Sequence, residues 1–497
     1  MRTASRQQIL LPAILTILLL VPIFWHPHIA AGDLPSHTYN AWLAQLIHKQ
    51  QAPGLYTVAQ FQNVLFDLLL VYSAKILGLA AAEKFAVSLC VLIFFWGTFA
   101  FAAVASRRLP WTLTPLIAMF AYGYVFYMGF MNFYLSIGLA ALALSLLWPG
   151  TRRGLFLSLL IAPFILFAHP VGFLFFLGAS VYRLLWRQLR PISRLILPSV
   201  IAVLAYGIHL YFIRHPELET NWEPTSIFLR NGFDQLNIFG ERFETLSLIL
   251  LAFCIVCLLI DVQSFLSRAR RVYPSAGPTK LLWIYLRRRS PIPELYAAAF
   301  ISTALLPQDF KPGPDTGWVG VIVTRLTIIT AIFAVAWLAT MRPKLWHLAG
   351  LAIAALVFFA FTWQETRFLN HLEDNADRLT SNLPYGTRVL ASVFADPDNR
   401  TMFIHSVERA CISRCFVYSN YEPSTHEFRI RVLPGSPIVT ATPDDSEDMQ
   451  FGVYEVQEDD LPLKQIYQCD PADLTTLCIR DLSAGEQNNR TGYRPPS

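Results

Sequence analysis

Apolar residues along the first 363 positions fall into runs of about 17–25, the length needed to cross a bilayer as a helix, and these runs stop after Phe361-Thr362-Trp363. The pattern predicts eleven spans, over 8–25, 84–105, 111–128, 130–148, 154–168, 171–187, 192–213, 245–263, 292–306, 318–340 and 345–363. Those flanking His169-Pro170 and the one before Pro307 are short for a span. The first run, from Ile9 to Trp25, is long and has no small-x-small cleavage site directly after it, so it reads as an uncleaved span rather than a secretory signal.

Charge sets the orientation, because short cytoplasmic loops are enriched in Lys and Arg. Arg2 and Arg6 put the N-terminus inside. Arg107-Arg108, Arg152-Arg153, the set Arg183, Arg187, Arg190 and Arg194, and Arg342 with Lys344 mark further inside loops. The basic loop 264–291 is the strongest marker, with Arg268, Arg270, Arg271, Lys280 and Arg287-Arg288-Arg289. This parity requires that QFQNVLFDLLLVYSAKILGL, residues 60–79, does not cross. That segment holds Gln62, Asn63, Asp67 and Lys75, costly in hydrocarbon, and reads as an amphipathic helix in the outer interface.

The first outer loop, 26–83, then holds two interfacial helices, 36–50 and 60–79. A second outer loop covers 214–244 and a third covers 306–318. The expected class is an all-α polytopic membrane protein, with a membrane domain over 1–363 and a small extracytoplasmic α/β or α+β domain over 364–497.

In that tail the apolar periodicity shortens to β-like runs: RVLASVF, CFVYSNY, FRIRVL, PIVTAT, FGVYEV and KQIYQC. A helix-like stretch, MFIHSVERACISRC, lies among them, and AGEQNNRTGYRPPS reads as a disordered end. Cys411, Cys415, Cys469 and Cys478 all lie in the tail, whereas Cys90, Cys254 and Cys257 lie within spans. Four cysteines on an outer side suggest disulfides. Local spacing favours Cys411–Cys415 and Cys469–Cys478, with the other pairings, and reduced thiols, still open. The spacings match no zinc-ligand pattern.

Composition agrees with a membrane protein: 54% hydrophobic and 15% charged residues, against about 25% charged in soluble domains. The net charge of +5 sits mostly in the inside loops, so no nucleic-acid partner is expected.

Candidate chemistry gathers outside. In WHPHIAAGDLPSHTYNAWLAQLIHK, residues 25–49, Asp33 precedes a helix and His37 follows one turn later. A carboxylate there can take a proton from an attacking hydroxyl, or hold a cation against a phosphate. Asp33-Leu34-Pro35-Ser36 also reads simply as a helix-entry turn. Asp67 either faces the same cleft or is solvated on its helix. Asp309, Lys311 and Asp315 lie in the third loop. Arg325 lies inside the following span, where a cation pairs with a lipid phosphate or with an acid of a neighbouring helix. His169 marks a turn at the outer surface or a ligand contact. Tyr124, Tyr127 and Asn132 fit an aromatic belt as readily as a sugar-stacking wall.

A span, an outer acid at Asp33, two interfacial helices, and a second span (84–108) ending in Arg107-Arg108 resemble the opening of the GT-C glycosyltransferases. These polytopic enzymes use polyprenyl-phosphate sugars, as protein O-mannosyltransferases and lipid A aminoarabinose transferases do. FAYGYVFYMGFMNFYLSIGLA, residues 120–140, resembles an element of bacterial members. The chain departs from the pattern in two places. It reads APGLYTVAQFQN where relatives often open the second interfacial helix with His-Pro-Pro-Leu, and its first-loop acid is single.

The resemblance implies a GT-C-like fold in a bacterial inner (plasma) membrane, with a cytoplasmic N-terminus and a periplasmic or extracellular C-terminal domain. It implies sugar transfer from a polyprenyl-phosphate donor to a glycan, lipid or protein acceptor, with Asp33 as general base. His37, Asp67, His169, Asp309, Lys311 and Arg325 are the expected substrate contacts. No metal ligand is assigned; a divalent cation is compatible with the single acid but not demanded by it. The rival readings are a transporter or flippase of lipid-linked saccharides, and a membrane scaffold with an outer binding domain.

Overall fold

The structure is a computed structural model that describes residues 6–190, 193–222, 230–289, 291–311, 313, 319–341, 343–393, 405–470, 473 and 475–488. In chain order the elements begin with α1 Arg6–Phe24, α2 Leu34–His48, β1 Leu55–Thr57, α3 Leu65–Leu77, α4 Leu79–Ser106, α5 Thr114–Ala121, α6 Tyr124–Tyr127 and α7 Met131–Leu147. Next come α8 Arg152–Ala168, α9 Pro170–Gln188, α10 Ile196–Arg214, β2 Glu219–Asn221, α11 Glu241–Val272, α12 Pro278–Arg289, α13 Ile292–Ala304, β3 Asp309–Lys311, α14 Ile322–Ala339 and α15 Leu345–Ser381. The last stretch holds β4 Thr387–Ser392, α16 Ser406–Cys411, β5 Cys415–Val417, α17 Tyr421–Thr425, β6 Ile430–Val432, α18 Pro443–Phe451, β7 Lys464–Gln468 and β8 Leu477–Asp481.

The protein is mostly helical, and among the described residues five helices are long and apolar enough to cross a membrane: α4, α10, α11, α14 and α15. Leu10–Phe24 of α1 and the whole of α7 are shorter apolar helices. Helix α10 makes the physical case. Within it only Ala205 is buried, while Val203 is 71% and Leu204 61% exposed. A helix apolar all round and bare on nearly every face is stable in lipid, not in water. The chain is thus an integral membrane protein by its helices.

Each of the eleven expected spans overlaps helix, but 111–128 does not form one rod. It breaks into a 3-10 turn at Trp111–Leu113, then α5, then α6, with Tyr122 and Gly123 between the two helices. The basic loop 264–291 is more helical than expected. Its first part continues α11 to Val272, since no proline or glycine interrupts SFLSRARRV, and its second part is α12.

The chain forms two compact units: residues 1–89, 126–132 and 361–497 in the first, and 90–125 with 133–360 in the second. A single boundary at 363/364, expected from composition, does not follow this division, because the first outer loop and the tail fold together. Strand β1 pairs antiparallel with β6, Leu55 opposite Val432, and α2 packs on α16.

Within the first unit, α3 is shorter than the 60–79 expected. Its thirteen residues rise about 20 Å, short of a hydrocarbon core of about 30 Å. It buries the stripe Phe66, Leu70 and Ala74 and leaves Tyr72 and Ile76 exposed. Helix α2 is different: Leu34 to Leu43 are all buried in protein, polar residues included. Its polar side chains find partners across the unit. The Tyr39 hydroxyl oxygen accepts from Val417 N at 3.0 Å, and the Asn40 and Asn420 amides bond reciprocally.

The tail builds a four-stranded sheet in the order β5-β4-β7-β8, parallel except for the antiparallel β8 edge. Central β4 is buried from Val389 to Ser392, as expected of a strand with partners on both sides. Beside the sheet, Leu390, Tyr418, Met449, Tyr454, Val456, Leu463 and Leu482 form one core. The Tyr418 and Tyr454 hydroxyls both donate to the buried Asp460, at 2.9 and 2.7 Å. PIVTAT forms no strand, and FGVYEV contributes only a bridge from Glu455 to Gln487. Strand β8 was not foreseen.

The start of the expected disordered end is ordered. Asn488 is fully buried, accepts from Tyr454 N at 2.8 Å and donates to Met449 O at 2.8 Å. Residues 489–497, including the Asn489-Arg490-Thr491 sequon, lie outside the described residues, as do Arg2, Asp315 and Arg342. Both favoured disulfides are present, Cys411–Cys415 and Cys469–Cys478. Cys90, Cys254 and Cys257 are free and buried.

Candidate functional site

Asp33 is the residue before α2, and its backbone is clamped. Its N–H donates to Met128 O at 3.0 Å, and Gly32 N donates to Tyr127 O at 2.8 Å. This approach depends on Gly129, which has φ +78; a Cβ there would sit 2.4 Å from Asp33 N. The stretch 127–129 thus holds the backbone of Gly32 and Asp33 in place. Asp33 stands at the N-cap of α2, as the helix-entry reading expects, but its side chain makes no capping hydrogen bond.

That carboxylate stands beside His405, with Nε2 to Oδ1 at 3.8 Å. The other ring nitrogen of His405 meets Glu408 Oε1 at 3.0 Å, and the Tyr421 ring lies 5.0 Å away, centre to centre. His405 and Glu408 are buried, with side chains 6% and 3% exposed, whereas Asp33 is 24% exposed. Burial works against the charged imidazole, but Glu408, then Asp33 and Glu422, outweigh it and raise its pKa.

His37 faces a second set of acids one turn along α2. Its Nδ1 lies 2.8 Å from Asp67 Oδ1 and 3.8 Å from Glu422 Oε1. Asn132 organises this corner: its side-chain oxygen accepts from Phe66 N at the open start of α3, and its amide nitrogen donates to Asp67 Oδ2 at 2.8 Å. Burial opposes the imidazolium here too, but Asp67, then Glu422 and Asp33, raise its pKa to about 9. Asp67 is pulled the opposite way: burial resists its ionisation, yet His37, Asn132 and Arg429 bring its pKa below the ordinary value. Glu422 is raised, chiefly by burial, with Asp67 and Glu408 adding to the effect against His37. The result is two histidine–carboxylate pairs, His405–Glu408 and His37–Asp67, in which both imidazoles are raised in proton affinity, with Asp33 and Asp67 as the acids partly exposed to solvent.

A third set of charges braces the same helices. Arg409 pairs with Glu83 at 3.2 Å and with Glu373, and donates to Ile29 O at 3.1 Å. Thr38 donates to Glu83 at 2.6 Å. His28 lies 3.6 Å from Glu373 and 3.4 Å from Asp377.

The remaining expected contacts belong to the second unit. Asp309 caps structure: Oδ1 accepts from Val321 N at 2.6 Å, just before α14, and Oδ2 accepts from Asn221 at 3.1 Å. Lys311 stands opposite Glu219 in the β2–β3 ribbon. His169 accepts from Val171 N at the start of α9 and meets the Phe133 ring edge-on. Arg325 lies in the first turn of α14, with its Nε buried. Among the described residues no group of three His, Cys, Asp or Glu is placed to hold a metal ion.

The sequence reading found Asp33, His37 and Asp67 but not His405, Glu408, Tyr421 or Glu422. A signal was present in IHSVERAC, where His405, Glu408 and Arg409 interrupt a stretch of otherwise core-forming residues. Tyr421 was masked by being read as the end of the strand CFVYSNY, and Glu422 fell between the expected strands. Set against models of protein families, curated proteins and solved structures, the chain matches none.

Proposed function

We propose that the chain is an inverting membrane glycosyltransferase that moves a sugar from a polyprenyl-phosphate donor to an acceptor hydroxyl on the outer face of the membrane. The observation that carries this reading is the Asp33 carboxylate, partly exposed on a fixed backbone and backed by buried His405 and Glu408. The protonated form of His405 is favoured by the acids around it, and a charged imidazole favours in turn the ionised form of a neighbouring carboxylate, the form a general base needs. As the acceptor oxygen bonds the anomeric carbon, its proton passes to Asp33, and the bond to the donor phosphate breaks with the electron pair leaving on phosphate. Asp67 and His37 orient the incoming hydroxyls of sugar or acceptor. Contact of Arg325 and Lys311 with a donor phosphate is a separate expectation about the second unit.

The test is Asp33→Asn in purified full-length protein, assayed for transfer from a polyprenyl-phosphate sugar. Transfer falls by about 10²–10⁴-fold, the usual worth of a general base, while the melting midpoint holds. Undiminished transfer removes Asp33 from the reaction. Movement of a labelled lipid-linked sugar across proteoliposomes without transfer would mark a transporter instead.

A further inference from the structure

The second unit contains a cavity of about 1120 Å³ that the reading of Asp33 leaves unused. It lies where α4, α7, α9, α11 and α14 end and α13 begins, so its walls are helix termini and their connecting segments. Six arginines line it: Arg107, Arg108, Arg183, Arg268, Arg288 and Arg289. Among the described lining residues Asp261 is the single acid, and it is already engaged by Arg289 and by the Tyr285 hydroxyl at 2.9 Å.

An excess of arginine at the ends of membrane helices has an ordinary explanation, since it offsets helix dipoles and fixes orientation. That explanation needs no cavity and no ordering of the guanidiniums. Here Arg183 and Arg288 are held in place by groups other than acids, whereas Arg289 is the one tied to Asp261. Arg183 donates through Nε and Nη2 to Trp148 O, at 3.2 and 3.1 Å, and stacks on the Trp148 and Trp186 rings at 4.8 and 5.3 Å. Arg288 stacks on Phe265 at 5.4 Å. Arg289 Nε is buried with no hydrogen-bond partner. Stacking fixes a guanidinium without using its in-plane donors, so those not already spent on a carbonyl, as two of Arg183 are, can meet an anion.

We propose that this cavity binds the phosphate or diphosphate group of a phosphorylated ligand. Arginine forks match phosphate oxygens two at a time, and several forks around one space favour a multiply charged anion over a lone carboxylate. The volume exceeds the 300–1,000 Å³ usual for small-ligand sites, so there is room for a diphosphate and the group it carries. The source is a lipid headgroup or a soluble phosphate compound, both offering the same chemistry. This site stands independently of the glycosyltransferase reading.

The probe is radiolabelled inorganic pyrophosphate, measured by equilibrium binding to the full-length protein in nanodiscs of zwitterionic lipid. Saturable binding is expected, weakened about tenfold or more in Arg107→Gln/Arg108→Gln and largely retained in Arg107→Lys/Arg108→Lys. Both positions are exposed, so the fold should survive; if it does not, exposed Arg268→Gln takes their place. Repeating the measurement with phosphatidic acid in the nanodisc separates the sources. Loss of pyrophosphate binding there indicates a lipid headgroup, and unchanged binding indicates a soluble ligand. Binding equal in wild type and the glutamine variant, or no saturable binding of pyrophosphate and no retention of phosphatidic acid, overturns the proposal.

Discussion

The buried pair of His37 and Asp67 makes the stability of the first unit depend on pH in a direction that can be worked out beforehand. At 2.8 Å and an effective dielectric of about 20, a full charge pair is worth roughly 6 kcal/mol before desolvation is subtracted. The net is smaller, because burial resists both charges. The imidazole pKa rises from 6.5 to about 9, and at about 1.4 kcal/mol per tenfold change in proton affinity this leaves about 3 kcal/mol. A histidine whose folded pKa is raised stabilises fully below its unfolded value. That stability is therefore complete below pH 6.5 and is lost as pH climbs through about 9.

Glu422 is also raised and would titrate in the same window, so the comparison is best made in a Glu422→Gln background, with and without His37→Gln. His405 and Arg429 are common to both chains and cancel in the difference. The assay is the thermal midpoint in detergent, followed by tryptophan fluorescence, from pH 6.5 to about 10. For a unit of this size 1 kcal/mol moves the midpoint about 2–4 °C, so the full shift is worth roughly 6–12 °C; without the Glu422 charge, which supplies part of it, the chain with His37 should lose several degrees more than the chain without it, up to that bound. Equal slopes in the two chains would mean that His37 carries no stabilising charge, and the account of the cluster would fail.

Three further outcomes follow from the geometry. Gly129→Ala should destabilise by at least about 2 kcal/mol, because φ +78 is strained for alanine and its Cβ would strike Asp33 N; an unchanged melting midpoint would contradict the clamp. Arg409→Gln leaves Glu83 and Glu373 buried without their cation and should cost about 3–5 kcal/mol at neutral pH, read in the same melt. Reduction should make Cys411, Cys415, Cys469 and Cys478 alkylatable in the denatured chain, and opening Cys411–Cys415 should cost about 2 kcal/mol for so short a loop.

Particular residues show where local pattern carries information and where it stops. Asp33 was legible as a helix-entry acid, because a Pro at the first helical turn and an apolar repeat after it are local facts. The break between α5 and α6 was not, since 111–128 is apolar throughout and only packing decides that Gly123 and Tyr122 leave the helix. Helix α2 was read as interfacial because the span parity places it in the first outer loop, yet its polar residues are not solvated. They are satisfied instead by Glu422, Asn420, Val417 and Glu83, and three of those four partners lie more than 370 residues away.

The membrane character of the chain was therefore decided by sequence alone: an apolar run of bilayer length has few other stable environments, whatever its neighbours. For the disulfides, local spacing only favoured Cys411–Cys415 and Cys469–Cys478, and the folded geometry decided them. The assembly around Asp33 belongs to tertiary structure. His405, Glu408 and Glu422 reach α2 only because β6 pairs with β1 and α16 packs on α2, and no local periodicity specifies a pairing across such a separation. Burial then does the rest, turning ordinary side chains into a coupled set whose proton affinities depend on one another.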